Sequence, residues 1–195
     1  MARHQAPEHS GEAITYSRVT PYADDPLIVT SEAVDQESRL DATHSDAGDG
    51  MSPPLSWTGP SDVISYALVV EDPDAPSEQP AVHWMMWNIP GSLHELPAGI
   101  GGALDVEDAL GLNAVVQGRN TRGGYGWFGM APPPGHGPHR YYFQMFALDR
   151  RIEFGPEADL EDLVHVLKAG TLAKGLLIGT FEAPDALTVD AAETP

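Results

Sequence analysis

Four apolar, β-rich runs, each bounded by turn-forming residues or a change of pattern, occupy the middle and end of the chain. They are Ile64–Glu71 (ISYALVVE), Val82–Ile89 (VHWMMWNI), Arg140–Leu148 (RYYFQMFAL) and Leu176–Phe181 (LLIGTF). The first is apolar almost without interruption, which predicts a central strand buried on both faces. The second ends at Pro90-Gly91, and Asn113–Val116 reads as a short further strand. With 20 Gly and 18 Pro in 195 residues, turn formers make up about a fifth of the chain against roughly 12% usually. That density favours many short strands over a helical bundle.

One helix is predicted over Asp159–Ala169 (DLEDLVHVLKA). Leu160, Leu163, Val164 and Leu167 fall at i, i+3, i+4 and i+7, one face of a helix. Glu157, Asp159, Glu161 and Asp162 crowd its start, where the helix dipole favours negative charge. Lys168 stands near its end and Gly170 is a natural stop. A weaker helix is predicted around Val106–Leu110. Residues 1–13 and 185–195 read as mobile tails flanking one domain over 14–184. Ser31–Asp49 reads as an acidic loop with short strand pieces. These residues predict a mostly β domain with a late helix packed on it.

Charge narrows the partners. Asp and Glu number 29 against 10 Lys and Arg, a formal net charge of −19. Such a chain is ill suited to nucleic acid, whose phosphates need clustered cations, or to an anionic membrane surface. One small anion in a local pocket stays admissible. The chain has no cysteine, so disulfides, zinc–thiolate sites and thiol catalysis are excluded. It has no run of ~18 apolar residues of the kind that spans a membrane and no continuous apolar stretch near its start of the signal-peptide kind. The expectation is a soluble, cytoplasmic protein.

Three segments carry candidate chemistry. His83 opens a strand of otherwise buried residue types. His136 and His139 belong to APPPGHGPHRYY, a proline-stiffened loop that runs into the longest aromatic strand, and such loops are where binding groups sit. Asp72-Pro73-Asp74-Ala75-Pro76 follows the central strand, and its carboxylates are held stiffly because each proline restricts itself and the residue before it. Singly, each histidine reads as a satisfied core or edge residue, and the DPDAP stretch reads as an acidic turn. Together they can converge, and Asp72, His83 and His139 are expected in one pocket. A cis X–Pro bond is expected beside it, at Ala75–Pro76.

These residues resemble the phosphatidylethanolamine-binding proteins, in particular the bacterial and archaeal branch called Raf-kinase-inhibitor-like. The resemblance rests on five stretches in family order: Ser52–Trp57 (SPPLSW), Asp72–Pro76 (DPDAP), His83-Trp84, Pro132–Tyr142 (PPPGHGPHRYY) and Leu176–Glu182 (LLIGTFE). It implies a large central β-sheet packed against a smaller sheet, with a C-terminal helix beside a small cavity. That cavity binds small anions and phosphoryl head groups in the family. Carried over by motif, its residues here are Asp72, Asp74, His83, Pro132, Pro133, His139 and Tyr141. No cofactor and no metal is implied. The expected partners are a small anion or phosphoryl head group, a protein partner that no residue here identifies, and a second copy of the chain in a homodimer.

The chain departs from the pattern at Trp127 and Met130, where Tyr and Pro are common, and at Phe181, where Tyr is common. The cavity rim is therefore expected to be more apolar than usual. An anion in so acidic a chain needs local donors: imidazole, Tyr hydroxyl or loop N–H groups. Asp72 opposes an anion by charge but can orient an imidazole, or accept from a protonated phosphate oxygen or a ligand amine. Arg140 alternates away from His139 on a strand and is expected to pair with an acidic loop. Three alternatives stay open. One is a hydrolase that uses a His/Asp pair as general base. Another is a metal site of Asp72, His83 and His139. The last is a surface loop that inhibits a protease or kinase.

Overall fold

The computed structural model describes residues 14–23, 25–35, 37–102 and 114–184. The expected tails and the Val106–Leu110 helix lie outside them. A short α1 (Thr15–Arg18) precedes β1 (Ile28–Thr30), β2 (Leu55–Thr58), β3 (Ser65–Asp72), β4 (Ala81–Pro90), β5 (Glu95–Leu96), β6 (Val116–Gln117) and β7 (His139–Leu148). Helix α2 (Leu160–Gly170) and β8 (Thr171–Phe181) complete the elements among the described residues. Among its described residues the acidic segment before β2 contains a 3₁₀ turn, Ala42–His44, and isolated bridges of Val34 with Leu40, Arg39 with Thr180 and Ser45 with Met130.

Two sheets form. One has three strands in the order β1-β2-β5, the other five in the order β6-β4-β3-β7-β8, and every pairing is antiparallel. The large sheet is covered on both faces. Leu68, Val70, Trp84, Met86, Tyr141 and Phe143 pack toward the small sheet's Val29, Leu55 and Trp57. Ala67, Val69, Met85, Trp87 and Phe146 pack on the other face with Leu163 and Leu167 of α2 and with Val19. Double coverage explains why β3 is buried at every position and β4 at all but its last: alternation vanishes when both faces are dry. Each such Leu, Val or Phe contributes roughly 1.5–3 kcal/mol of transfer free energy.

Helix α2 begins one residue later than expected because Asp159 is its cap. The Asp159 carboxylate accepts from the Asp162 N–H, and the Asp162 carboxylate accepts from the Asp159 N–H. Gly170 is its last residue, so the stop falls one position further on, at Thr171. There the helix passes directly into β8, which is five residues longer at its start than LLIGTF suggested. β8 pairs with β7 along its length, from Thr171 opposite Leu148 to Phe181 opposite His139, with Leu172 alone left out at a register shift. This long ladder holds the first residue of β7 in place.

Candidate functional site

The site is built at one end of the large sheet, where β3 ends and β7 begins. β7 alternates strictly, so His139 lies on the face of Tyr141 and Phe143, toward the small sheet. Asp72 is two residues beyond Val70 and lies on that same face. His83 arrives by a different route. Val70 pairs with Trp84 but Glu71 pairs with Val82, leaving His83 as the extra residue of a β-bulge. Val82 packs on the helix side and Trp84 on the small-sheet side. Only the bulge lets His83 face the same way as Trp84, against Trp127, Phe128 and Tyr141.

Each imidazole is tied by Nδ1. His139 Nδ1 donates to Asp72 Oδ2 at 2.8 Å, and both side chains are at most 5% exposed. The other Asp72 oxygen accepts from the Asp74 N–H at 2.8 Å. His83 Nδ1 donates to the Phe128 carbonyl at 3.0 Å, and the Phe128 N–H donates back to the His83 carbonyl at 3.1 Å. The Phe128 ring stacks on the imidazole at 3.8 Å. Burial pushes the His83 imidazole down to about 4, against the smaller opposing pulls of the Phe128 carbonyl and Asp72. His83 is therefore neutral at pH 7.

The structure thus gathers Asp72, His83, His139 and Tyr141. His83 and Tyr141 meet edge-on at 5.0 Å between ring centres. Tyr141 is fully buried and its hydroxyl is sealed. The Ala131 N–H faces that oxygen without reaching hydrogen-bonding geometry. Burial, and then Asp72, Asp74 and Asp46, push the Tyr141 phenol up. Tyr141 is accordingly the floor under His83. Pro132 is buried and Pro133 half-buried in the loop before His139. The His136 N–H closes a turn on the Pro133 carbonyl, and Gly135 and Gly137 adopt φ of 80° and 87°. The His136 ring stands 5.9 Å from that of His139.

Asp74 sits differently. Its carboxylate accepts from the Arg140 backbone N–H, Nε and Nη2 at 2.9, 2.8 and 2.6 Å. Burial raises its carboxyl, but the Arg140 hydrogen bonds and charge outweigh that and hold it below the usual range. The ion pair expected of Arg140 is made with this residue. Asp74 braces the loop from behind and is tied to Arg140. The expected cis bond is corrected: the described peptide bonds are all trans, Ala75–Pro76 among them. The turn is closed instead by the Asp74 N–H on Asp72 and by the Ser77 N–H on the Ala75 carbonyl.

Reasoning from sequence passed over three residues at the site: Phe128, Arg122 and Asp46. The Arg122 guanidinium covers the outer face of Phe128 at 4.5 Å and pairs with Asp46 at 2.5 Å. The segment from Ser45 runs beside Met130, so close to Gly129 that a Cβ there would lie 2.4 Å from the Asp46 nitrogen. Trp127, noted only as a departure, donates its indole N–H to the His44 carbonyl and stacks on Phe143. Among the described residues no group of three or more His, Asp or Glu side chains is placed to hold a metal ion.

Residues 30–182 match the family model described as phosphatidylethanolamine-binding protein. A protein of Methanothermobacter thermautotrophicus named UPF0098 protein is 37% identical over 153 residues, covering 77% of this chain and 95% of that one. LppC of Mycobacterium tuberculosis, which carries a lipoprotein designation, is 31% identical over 180 residues, covering 91% of this chain and 84% of its own length. The crystal structure of Escherichia coli YbcL, described as a new member of the mammalian PEBP family, superposes with a TM-score of 0.73. It is 32% identical and covers 81% of this chain and 99% of YbcL.

Proposed function

The chain belongs to the phosphatidylethanolamine-binding protein family, and from that premise we propose that it is a binding module for a small anion or a phosphoryl head group. The ligand sits at the sheet end formed by Asp72, His83 and His139. The observation that carries this reading is the buried His139–Asp72 pair beside a second imidazole on a bulge. Both rings are fixed by Nδ1, and neither Nε2 has a partner among the described residues or is sealed from solvent. Two preoriented imidazole edges on one face suit a compact polar group. Regulation of a partner protein through that ligand is the wider form of the proposal.

The comparisons lend no support to the hydrolase alternative, in which a His/Asp pair acts as general base. A cytoplasmic location belongs to the same proposal. No described helix is long and apolar enough to cross a membrane, and the lipoprotein designation of LppC makes cell fractionation the relevant check.

Calorimetric titration with inorganic phosphate tests the reading. Wild type and His165→Ala, an exposed position on α2, are expected to bind alike. His139→Ala is expected to bind at least about tenfold more weakly, the loss of roughly one charge-assisted hydrogen bond. Thermal melts show which variants are folded. Equal affinity in folded wild type and His139→Ala overturns the site, and absence of binding to wild type overturns the function.

A further inference from the structure

We infer that residues 14–19 form a strap across the helix-side face of the large sheet, and that the strap opens as a unit when the Glu71 carboxyl ionises and closes when it is protonated. Glu71 and Asp72 are successive on β3 and point to opposite faces. The strap therefore lies behind the proposed binding site and acts separately from it.

Strand alternation puts three polar side chains on the face that Ala67, Val69 and Phe146 share. Glu71 is two residues beyond Val69, Gln144 two before Phe146, and Lys174 opposite Phe146 on β8. Each of the three grips the strap by its backbone. The Glu71 carboxylate accepts from the Thr15 N–H at 2.8 Å, and the Gln144 side-chain oxygen accepts from the Tyr16 N–H. Lys174 Nζ donates to the Tyr16 and Val19 carbonyls at 2.7 and 2.8 Å and lies 4.0 Å from the centre of the Tyr16 ring. Ile14, Thr15 and Val19 are buried. Just beyond, the Tyr22 and Ala23 N–H groups donate to the Thr171 and Leu172 carbonyls. That second attachment to β8 can persist while residues 14–19 lift away.

Glu71 is the member that titrates against closure. It is buried, and the Thr15 N–H and the Gln144 amide both donate to its Oε2. Its neighbours across the sheet are Val82 on β4, which is apolar, and Tyr142 on β7. The cations of this face are engaged elsewhere: Arg18 by Glu161 of α2, Arg140 by Asp74, and Lys174 by the strap carbonyls. Two neutral donors do not replace the water that an ionised carboxylate loses, and burial accordingly pushes the Glu71 carboxyl up. Lifting Thr15 returns the carboxylate to water. The closed strap thus holds a proton that the open one releases, and opening is favoured as pH rises. Lys174, lowered by burial, and Glu161, lowered by its bond to Arg18, both favour opening as pH falls. Neither can produce the inferred trend, and the same holds for global unfolding driven by the buried His83.

Amide hydrogen exchange of the full chain, followed by NMR at pH 5, 6, 7 and 8 and expressed as protection factors, tests this. The Thr15 and Tyr16 amides should be protected at pH 5, yet at least about a hundredfold less than those of Phe143 and Met145 in β7, which exchange by wider unfolding. Both should lose protection together as pH rises, by at most about tenfold per pH unit, the limit for one proton. In Glu71→Gln, whose amide oxygen can still accept from Thr15, protection should vary by less than about twofold over the range and exceed that of wild type at pH 8. Lys174→Met should lower protection of both amides at least about tenfold while the slope with pH remains. Wild type alone can overturn the inference, whatever the variants' folding. Protection equal to that of β7, no protection at pH 5, no fall with pH, or a fall at Thr15 without one at Tyr16 would each do so. A slope that survives in folded Glu71→Gln would remove Glu71 as the switch.

Discussion

Lowering the pH should unfold this protein partly through one residue, and the contribution can be worked out. Burial holds the folded His83 imidazole at about 4 against 6.5 in an exposed histidine. The difference, about 2.5 units, corresponds to about 3 kcal/mol at 1.36 kcal/mol per unit. The sign follows from proton uptake. Between pH 6.5 and 4 the unfolded chain binds a proton that the folded one refuses, so stability falls as pH falls. The contribution is complete above pH 6.5, and about 2.5 kcal/mol of it is gone by pH 4.5. The assay is urea denaturation of wild type and His83→Gln at pH 7.5, 6.5, 5.5 and 4.5. The amide of His83→Gln can still donate to Phe128 and does not titrate. Other groups, Asp74 and Glu71 among them, titrate in both proteins and cancel in the difference. Wild type should lose about 2.5 kcal/mol more than the variant over this range. Parallel curves, within about 0.5 kcal/mol, would refute the claim that His83 is buried neutral on the bulge.

Glu71 carries the opposite sign. Burial pushes its carboxyl up, against hydrogen bonds from Gln144 and Thr15, so the folded state weakens as pH rises through its titration. Glu71→Gln should gain stability relative to wild type between pH 4.5 and 7.5 in denaturant titrations. Asp159→Ala removes a two-way cap from α2 and should cost about 1 kcal/mol, read as a melting-temperature drop of roughly 2–4 °C. In Gly175→Ala the new Cβ would lie 2.4 Å from the Leu27 carbonyl oxygen and 2.8 Å from Val29 Cγ2. Backbone cannot yield as a side chain does, so β8 must move from the small sheet at a cost of about 1–3 kcal/mol, measured by chemical denaturation.

Much of the fold is legible in the chain because its cause is local. The runs of β3, β4 and β7 are apolar nearly throughout, and a residue can be apolar at successive positions of a strand only if both faces are covered. The α2 face follows from 3.6-residue spacing and its start from Asp159 and Asp162. The early half of β8 was not legible. Thr171, Ala173, Lys174 and Gly175 are ordinary in isolation, and the ladder with β7 makes them a strand. β1 and β5, at three and two residues, are also too short to carry a pattern and exist through their pairing with β2.

The site divides in the same way. Motif resemblance brought Asp72, His83 and His139 together, and the alternation of β7 separates Arg140 from His139. Tertiary structure decided what each of them does. Strand alternation alone would not place His83 and Trp84 on the same face, and a single bulge turns His83 toward Asp72 and His139. Asp74 looks equivalent to Asp72 in the sequence, yet Arg140, 66 positions away, takes its carboxylate. Phe128 is an apolar residue in a glycine-rich stretch, but its carbonyl sets which nitrogen of His83 is bare. Strand propensity and helix capping depend on neighbours a few residues apart, which a sequence displays. Tautomers, charge pairing and the facing of a bulged residue depend on groups brought together from 45 to 67 positions away, and only the packed chain puts them in contact.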